Sequence, residues 1–312
     1  MNILITGATG FIGSNLINEL IENNTIICID NNFTGKMNNI EKYLNFPNFK
    51  FINYDIINPI NFDFNLKLDQ IYHLACPASP EKYQIDPIFT SKTCFIGTLN
   101  VLELARKHNA TILLASTSEC YGEPLVTPQY EEYRGNVNTI GIRSCYDEGK
   151  RIAETLFMDY NRKYNLNTRI ARIFNTYGPN MDLNDGRVIT NFIKQALENK
   201  DITVYGDGMQ TRSFCYIDDQ VKGLVKLMNS NYIYPVNIGN PDEYTVNEIS
   251  DIILKKTNSK SKVIYLNLPE DDPTNRNPDI SKAKKILDWE PKIDILEGID
   301  IMINYIKSKY YF

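Results

Sequence analysis

A glutamate flanked by hydroxyl-bearing residues follows a short apolar run near the middle of the chain. The segment STSECYG (116–122) comes directly after TILLA (111–115), a run of the kind that forms a buried parallel strand. In open α/β sheets, ligands bind in the crevice beyond the carboxyl ends of such strands. Thr117, Ser118 and Glu119 are therefore predicted to place two hydroxyls and a carboxylate at the mouth of a binding crevice.

A glycine-rich turn lies near the start of the sequence. TGATGFIGS (6–14) follows an apolar run and precedes a helical pattern. Gly7 permits the tight turn, Gly10 lets backbone amides approach a pyrophosphate, and Gly13 lets the helix pack close to the strand. Phosphates then bind at the N-terminus of that helix. The alternative for this segment is a generic tight turn.

Acidic residues end the next two predicted strands. Asp30 closes TIICID (25–30), where a carboxylate accepts hydrogen bonds from both ribose hydroxyls and repels a 2′-phosphate. The pattern therefore favours NAD(H) over NADP(H) as cofactor. Asp55 closes FKFINYD (49–55) and is either an adenine contact or a simple polar strand end.

A tyrosine and a lysine four residues apart could act as a proton acceptor. Tyr146 and Lys150 in YDEGK share one face of a predicted helix. A free tyrosine has a pKa of about 10 and is a poor base at neutral pH. A nearby lysine and a positively charged nicotinamide both favour the phenolate, which would take a hydroxyl proton while hydride leaves the same carbon. Taken alone, the pair is also typical of an ordinary exposed helix face.

Strand-like and helical stretches alternate over the first 180 residues, with strand-like runs at 2–6, 25–30, 49–55, 70–75, 111–116 and 168–174 and helical runs such as 11–22 and 95–108. This alternation predicts an α/β fold, a Rossmann-like doubly wound parallel sheet with helices on both faces. Beyond it, 186–200 reads as a helix and 202–219 as strand, turn and strand. We expect an NAD-binding domain over 1–178, with segments near 214–240 returning to it. A smaller substrate-binding lobe would occupy mainly 179–312.

Composition argues against several classes of partner. The 312 residues carry a formal net charge of −5, so no nucleic-acid partner is expected. The sequence shows no run of about 20 apolar residues and opens directly with MNILITG, so we expect no transmembrane helix, signal peptide or N-terminal anchor. Six cysteines show no CxxC spacing, and two histidines are too few for a histidine-based metal site. We therefore expect reduced cysteines, no metal and a cytoplasmic location.

Longer blocks carry a resemblance that covers nearly the whole chain. They are HLACPASPEKY (73–83), TSECYG (117–122), GNVNTIGIRSCYDEGK (135–150), ARIFNTYGP (171–179), DGRVITNF (185–192), VYGDGMQTRSF (204–214) and EDDPTNRNPDI (270–280). With these blocks, the glycine turn and YxxxK, the chain resembles the extended short-chain dehydrogenases that act on nucleotide sugars. Within that superfamily it is most similar to the UDP-glucuronate decarboxylases, also called UDP-xylose synthases.

The resemblance implies a closed redox cycle with NAD. C4 of UDP-glucuronate is oxidised, the 4-keto acid loses CO₂, and the bound NADH reduces C4 again to give UDP-xylose. Related 4,6-dehydratases typically carry Asp-Glu after the threonine, and 4-epimerases usually have no acid at position 119. These enzymes and UDP-apiose/UDP-xylose synthase are the alternative activities. A non-enzymatic NAD-responsive protein would be expected to lose the Tyr/Lys pair.

Individual roles also follow from the resemblance. Tyr146, Lys150 and Thr117 act at C4, and Ser118 orients the substrate carboxyl. Glu119 and Arg276, through a water, manage protonation at C5. We expect Glu119 to be either protonated and holding the carboxyl, or charged and pressing it toward loss of CO₂. The alternatives are a structural strand-end acid for Glu119 and a diphosphate clamp for Arg276.

The remaining implied contacts belong to the two ligands. Those to the cofactor are Gly7, Gly10, Phe11, Ile12, Gly13, Asp30, Asn31, Phe33, Thr34, Gly35, Asp55, Ile56, Leu74, Ala75, Thr93, Tyr146, Lys150 and Thr176. Those to the substrate are Tyr83, Arg143, Asn175, Tyr205, Gln210, Arg212 and Arg276, for which a solvated side chain is the alternative. The family usually forms homodimers by pairing two helices per subunit, for which 95–108 and 144–164 are the candidates.

Two cysteines depart from the family pattern. Cys94 in TCFIGT stands where we expect an asparagine that organises backbone and water near the site. Because a thiol hydrogen-bonds weakly, a local water relay is in doubt. Cys120 replaces the usual valine after Glu119, a tolerable exchange of one small buried side chain for another.

Overall fold

The computed structural model describes residues 1–268, 273 and 275–311. Its strands are β1 (Asn2–Thr6), β2 (Thr25–Asp30), β3 (Phe49–Asn53), β4 (Gln70–His73), β5 (Thr111–Thr117), β6 (Thr168–Ile173), β7 (Thr176–Tyr177), β8 (Ile202–Tyr205), β9 (Thr211–Ser213), β10 (Cys215–Tyr216), β11 (Pro235–Ile238), β12 (Glu243–Thr245), β13 (Val263–Leu266) and β14 (Asn275–Arg276). Its helices are α1 (Phe11–Leu20), α2 (Pro80–Tyr83), α3 (Pro87–Lys92), α4 (Thr98–His108), α5 (Ser144–Tyr164), α6 (Val188–Leu197), α7 (Ile217–Met228), α8 (Val246–Thr257), α9 (Ser281–Leu287) and α10 (Ile295–Tyr310).

The main sheet has the strand order β11-β6-β5-β4-β1-β2-β3, and every neighbouring pair in it is parallel. Strand order reverses between β1 and β4, which is where ligands bind in doubly wound sheets. The predicted Rossmann-like α/β fold is therefore confirmed. Because parallel strands run in one direction, the carboxyl ends of β1, β2, β4, β5 and β6 all face the same edge.

Helices cover both faces of this sheet, and β1 shows how the sheet separates two cores. Ile3 and Ile5 pack into one cluster with Leu16 of α1. Leu4, between them in sequence, packs into the other cluster with Val101 of α4. Successive side chains of a strand point to opposite faces, so a continuous apolar run serves both cores.

Smaller sheets lie beyond the main one. They pair β10 with β7, β13 with β8, and β9 with both β12 and β14. In the last of these, Arg276 on β14 pairs in register with Arg212 on β9. β11 instead joins the main sheet by pairing in parallel with β6. None of the described helices is both long and apolar enough to span a membrane.

Several predicted bounds were too long. The runs 49–55 and 70–75 leave the sheet at Asn53 and His73, because the chain turns there to line the cleft. The helix predicted over 95–108 begins as α4 at Thr98, after a π-helical turn at Thr93–Gly97.

Candidate active site

One cavity of about 610 Å³ runs along the edge where the strands of the main sheet end. Residues from the glycine turn, from the ends of β2, β4, β5 and β6, and from the small sheets line it. All the side chains and glycines that the sequence predicts as catalytic, cofactor or substrate contacts belong to this lining. The structure therefore brings the predicted site together in a single cleft.

The glycine turn has the backbone conformation that its glycines permit. Gly7 has a φ of +74°, a region that other residues rarely adopt. A Cβ on Gly7 would lie 2.7 Å from the backbone nitrogen of Ala75, and one on Gly13 would lie 2.3 Å from the carbonyl oxygen of Gly7. Gly10 precedes the first turn of α1 as its N-cap. This glycine turn, called the glycine cradle below, thus leaves the N-terminus of α1 open toward the cleft.

Acidic and amide groups border this end of the cleft. The Asp30 carboxylate accepts hydrogen bonds from the backbone N–H groups of Thr9 (3.0 Å) and Asn32 (2.7 Å). Asn31 donates to Asp55 at 3.1 Å. The Thr9 hydroxyl is buried without a hydrogen-bond partner among the residues that the structure describes. A fixed carboxylate at the end of β2, a glycine cradle and an orphaned hydroxyl fit the adenosine diphosphate half of NAD.

Two predicted cofactor threonines already use their hydroxyls elsewhere. Thr93 donates to the carbonyl of Phe89 at 2.9 Å. Thr176 donates to the carbonyl of Phe174 at 2.9 Å and bonds with Gln220. Both line the cleft, but each contributes its surface rather than a vacant hydrogen-bond donor.

Tyr146 and Lys150 lie on one face of α5, as predicted, beside Thr117 at the end of β5. Lys150 donates to the carbonyl of Ala115 at 2.8 Å, and its Nζ lies 5.7 Å from the centre of the Tyr146 ring. Burial raises the pKa of Tyr146 well above its usual value, and the charge of Cys76 adds to this, whereas a hydrogen bond with Thr117 lowers it. Burial is the largest of these causes, so the surrounding side chains on balance disfavour the phenolate of Tyr146.

Tyr83 packs directly on the tyrosine of the pair. The two rings are stacked, with 4.9 Å between their centres and 3° between their planes. Tyr83 is buried, and its hydroxyl has no hydrogen-bond partner among the described residues. It therefore fixes the ring of Tyr146 and presents a polar atom in the cleft lining.

Glu119 lies between two guanidinium groups. Arg143, which directly precedes α5, donates from Nη2 to Oε2 of Glu119 at 2.7 Å. Arg276 donates from Nε to Oε1 at 3.3 Å and from Nη2 to Oε2 at 3.1 Å. All three side chains are largely buried. Two positive charges and one negative charge leave this cluster with one net positive charge, which suits an anionic ligand.

These contacts decide the charge of Glu119. Burial raises the pKa of the carboxyl, but the charges of Arg276 and Arg143 and the hydrogen bond from Arg276 outweigh it and lower the pKa to about 2. Glu119 is a carboxylate at neutral pH, which favours the charged one of the two states that we expected. Arg276 contacts Glu119 directly, and their predicted part in protonation at C5 through a water stays a prediction.

The far end of the cleft carries the predicted substrate residues. Arg212 donates from Nη2 to the carbonyl of Pro273 at 2.6 Å, and its charge also lowers the pKa of Glu119. Gln210 donates to the carbonyl of Tyr205 at 2.6 Å. Tyr205 is partly exposed, and Asn175 follows β6. Backbone contacts thus orient the side chains of Arg212 and Gln210 at this end.

Several residues that line the cleft were not predicted from the sequence. Cys76 and Ser79 follow the carboxyl end of β4, and Arg187 donates to the carbonyl of Ala78 at 3.1 Å. The strand-end rule that found Glu119 after β5 applies equally to the residues after β4. The described residues contain no cluster of His, Cys, Asp and Glu side chains that could hold a metal ion.

Comparisons with known proteins agree with this geometry. The sequence model of the family described as GDP-mannose 4,6 dehydratase matches residues 4–302. UDP-glucuronic acid decarboxylase 3 of Arabidopsis thaliana is 52% identical over 304 residues, which are 97% of this chain and 88% of that protein. UDP-glucuronic acid decarboxylase 1 of Xenopus tropicalis is 49% identical over 308 residues, which are 98% and 72% of the two chains.

Solved structures share the fold at lower identity. The crystal structure of UDP-glucuronic acid 4-epimerase from Bacillus cereus, in complex with UDP-glucuronic acid and NAD, matches with a TM-score of 0.89 and 29% identity. The match covers 99% of this chain and 100% of that one. Identity near one half over almost the full length distinguishes the decarboxylases from this structural neighbour. The chain therefore belongs to the extended short-chain dehydrogenases and, within them, to the UDP-glucuronic acid decarboxylase family.

Proposed function

We propose that the protein converts UDP-glucuronate to UDP-xylose and CO₂, with no net change in its NAD. The observation that carries the proposal is Glu119, ionised between Arg143 and Arg276 in the turn directly after β5, whose last residue, Thr117, lies beside Tyr146. When bound, NAD would accept a hydride from C4 of the sugar and return it after CO₂ has left. The glycine cradle, Asp30, Asn31 and Asp55 would hold it.

Substrate binding follows from charge. UDP-glucuronate carries a diphosphate and a carboxylate, and the far end of the cleft offers guanidinium groups from Arg143, Arg212 and Arg276. A guanidinium binds two oxygens of either anion at once. Ser118 is buried at the start of the 3₁₀ turn after β5 and orients the carboxyl group.

Tyr146 accepts the proton of the C4 hydroxyl. Its raised pKa requires help to form the phenolate, which Thr117 gives by hydrogen bonding and which a cationic ligand beside Lys150 would increase. The resulting ketone at C4 is β to the C6 carboxylate, so CO₂ leaves and its bonding electrons form an enolate. Tyr146 and Thr117 donate hydrogen bonds to that oxyanion, each of which contributes about 3–4 kcal/mol in comparable sites.

The charged form of Glu119 opposes a second carboxylate in the same pocket. Loss of CO₂ relieves this repulsion, while Arg143 and Arg276 keep the substrate in place. With a pKa of about 2, Glu119 cannot supply the proton that C5 needs at neutral pH. That proton would come from a water that Arg276 and Glu119 orient, and Tyr146 gives its own proton back to O4.

The test uses UDP-glucuronate labelled with ¹³C at C6. NMR should show the label leaving as carbonate while UDP-xylose appears and no NADH accumulates. Carbonate with a stalled 4-keto pentose would mean that the return of hydride fails. Retained label with a changed sugar would mean an epimerase, and a branched pentose would mean a UDP-apiose/UDP-xylose synthase. Either of the last two results contradicts the proposal.

We further propose a homodimer formed by α4 and α5. Tyr160 on α5 donates to Glu103 on α4 at 2.5 Å, so the two helices present one surface. Phe95, Ile152 and Tyr164 are exposed apolar side chains on or beside these helices. Pairing two copies of this surface would bury them.

We also propose a cytoplasmic location, which the sequence predicts from its cysteine usage. The six cysteines are present as free thiols in the structure, which suits a reducing compartment. Cell fractionation followed by immunodetection tests this proposal, and recovery of the protein in a membrane or secreted fraction would contradict it.

A further inference from the structure

Two thiols that the proposed mechanism does not use meet beside the catalytic helix. The sulfur atoms of Cys76 and Cys94 lie 3.3 Å apart, close enough for one thiol to donate to the other. Cys94 stands where the family resemblance predicts asparagine. A relative with asparagine at this position would lack the thiol pair. The contact joins the segment after β4 to the turn before α4.

The surroundings of the pair place it against Tyr146 and Lys150. Cys94 lies in the π-helical turn Thr93–Gly97, a rare element often found at functional sites. A Cβ on Gly149 of α5 would lie 2.9 Å from the sulfur of Cys94, so that sulfur packs against the catalytic helix between its two reactive side chains. Cys76 lines the cleft, whereas Cys94 is buried behind it.

We propose that Cys76 and Cys94 form a modification site, which a peroxide entering the cleft oxidises to a reversible disulfide that slows turnover. This goes beyond the proposed function, because the site depends on the thiols and not on which sugar the enzyme takes. Cys76 is the residue that meets the oxidant, since it is the one that lines the cleft. Cys94 then reacts with the oxidised Cys76 to form the disulfide.

The chemistry needs no reagent besides the peroxide. The Cys76 thiolate attacks one peroxide oxygen, the O–O bond breaks, and hydroxide leaves a sulfenic acid on Cys76. The Cys94 sulfur then attacks the Cys76 sulfur, forming the S–S bond and breaking the S–O bond. The departing hydroxide takes the Cys94 proton as water. Overall, two thiols lose two electrons and two protons, and the peroxide becomes two waters.

Electrostatics assign the same roles to the two thiols. Burial raises the pKa of Cys76, but its hydrogen bond with Cys94 and the charge of Lys150 outweigh burial and lower it. The same hydrogen bond and burial raise the pKa of Cys94 well above its usual value. Cys76 is therefore the better nucleophile toward peroxide, and Cys94 keeps the proton that the second step releases.

Oxidation should disturb catalysis through packing. A disulfide has an S–S distance of about 2.05 Å, so sulfurs now 3.3 Å apart must approach by roughly 1.2 Å. Because Cys94 packs on Gly149, this movement changes the support of Tyr146 and Lys150. Misplacing catalytic groups by about 1 Å costs on the order of 100-fold in rate. We expect a loss of ten- to about 100-fold in kcat.

The test treats the purified full chain with hydrogen peroxide and maps its peptides by mass spectrometry without reduction. We expect a cross-linked pair of peptides containing Cys76 and Cys94, loss of activity in step with cross-linking, and recovery of both with dithiothreitol. Absence of the cross-link, a cross-link to the neighbouring Cys145 instead, or a cross-linked enzyme with unchanged activity would each overturn the proposal. The mass readout stands even if the substrate proposed for the enzyme is wrong.

Two variants sharpen the result. Cys94→Asn restores the expected family residue and should give no cross-link, so that Cys76 over-oxidises and dithiothreitol no longer rescues the treated protein. Cys145→Ser is the matched control, since Cys145 lies in the same region but donates to the carbonyl of Tyr83. It should retain the cross-link at the wild-type yield, and loss of the cross-link there would contradict the assignment of the pair.

Discussion

The charge of Glu119 is set by its two arginine neighbours, and this makes it the sharpest target at the residue scale. Glu119→Gln keeps the shape of the side chain but removes the charge that Arg143 and Arg276 share. We expect kcat for CO₂ release to fall by about 100- to 1,000-fold, the usual cost of losing a preorganised charged contact. Labelled CO₂ release measures this directly.

A matched substitution separates the local effect from a general one. Glu148 on α5 forms a more exposed ion pair with Arg151 at 3.6 Å. Glu148→Gln should stay within about twofold of the wild-type rate, because such surface pairs contribute little. Glu119→Gln at near wild-type rate, with a normal thermal unfolding midpoint, would show that the carboxylate has no part in the reaction.

The positions of the candidate catalytic residues were largely predictable from the sequence, but their protonation states were not. Strand-end position and YxxxK spacing identified Glu119, Tyr146 and Lys150. The choice between a protonated and a charged Glu119 required Arg143 and Arg276, which approach it from distant parts of the chain. The Cys76–Cys94 contact likewise depends on how a strand end meets a π-helical turn, which periodicity does not reveal.

His73 ties three elements together and gives a pH dependence at the element scale. Its ring bonds with Thr6 of β1 at 2.9 Å and with Thr98 of α4 at 3.1 Å. Burial, assisted by the charge of Lys150, lowers the pKa of His73 to about 3. An unfolded histidine has a pKa of about 6.5, so below that pH the unfolded chain binds a proton that the folded chain does not.

The sign of the effect follows from that difference. The stabilisation is complete above pH 6.5 and declines as pH falls toward 3, by up to about 1.4 kcal/mol per pH unit. His73→Gln should flatten the dependence of the free energy of unfolding on pH between 5 and 6.5, as measured by urea denaturation. His108→Gln is the control, since that less buried histidine has a smaller downward shift in pKa. Equal slopes for wild type and His73→Gln would contradict the prediction.

The start of α8 offers a second test at the element scale. Thr245 accepts from the backbone N–H of Glu248 at 3.1 Å, and Glu248 accepts from the backbone N–H of Thr245 at 2.7 Å, which completes a capping box. Thr245→Ala should lower the free energy of unfolding by about 1 kcal/mol in urea denaturation. Thr257→Ala, at the opposite end of the same helix, should cost less than about 0.5 kcal/mol. The reverse order would mean that the box does not stabilise α8.

Long-range contacts across the cleft connect the main sheet to the small sheets at the scale of the whole molecule. Glu119, in the turn that follows β5 of the main sheet, pairs with Arg276 on β14, and Lys36 pairs with Asp182 at 2.8 Å. Because β14 pairs with β9, the arginine that contacts Glu119 is held in register with Arg212. Two of the anion-binding groups, Arg212 and Arg276, are thus positioned by paired strands, which explains why segments remote in sequence form one site.

The proposed dimer makes the last prediction at this scale. Ile152 on α5 is 37% exposed, and pairing α4 and α5 of two copies would bury it in an apolar interface. Ile152→Glu would place a charge there without its partner, so it should convert the dimer to a monomer in sedimentation velocity. Ile264 on β13 is 38% exposed but lies in a small sheet, so Ile264→Glu should leave the dimer intact. A monomeric wild type, or equal dissociation by both variants, would rule out this interface.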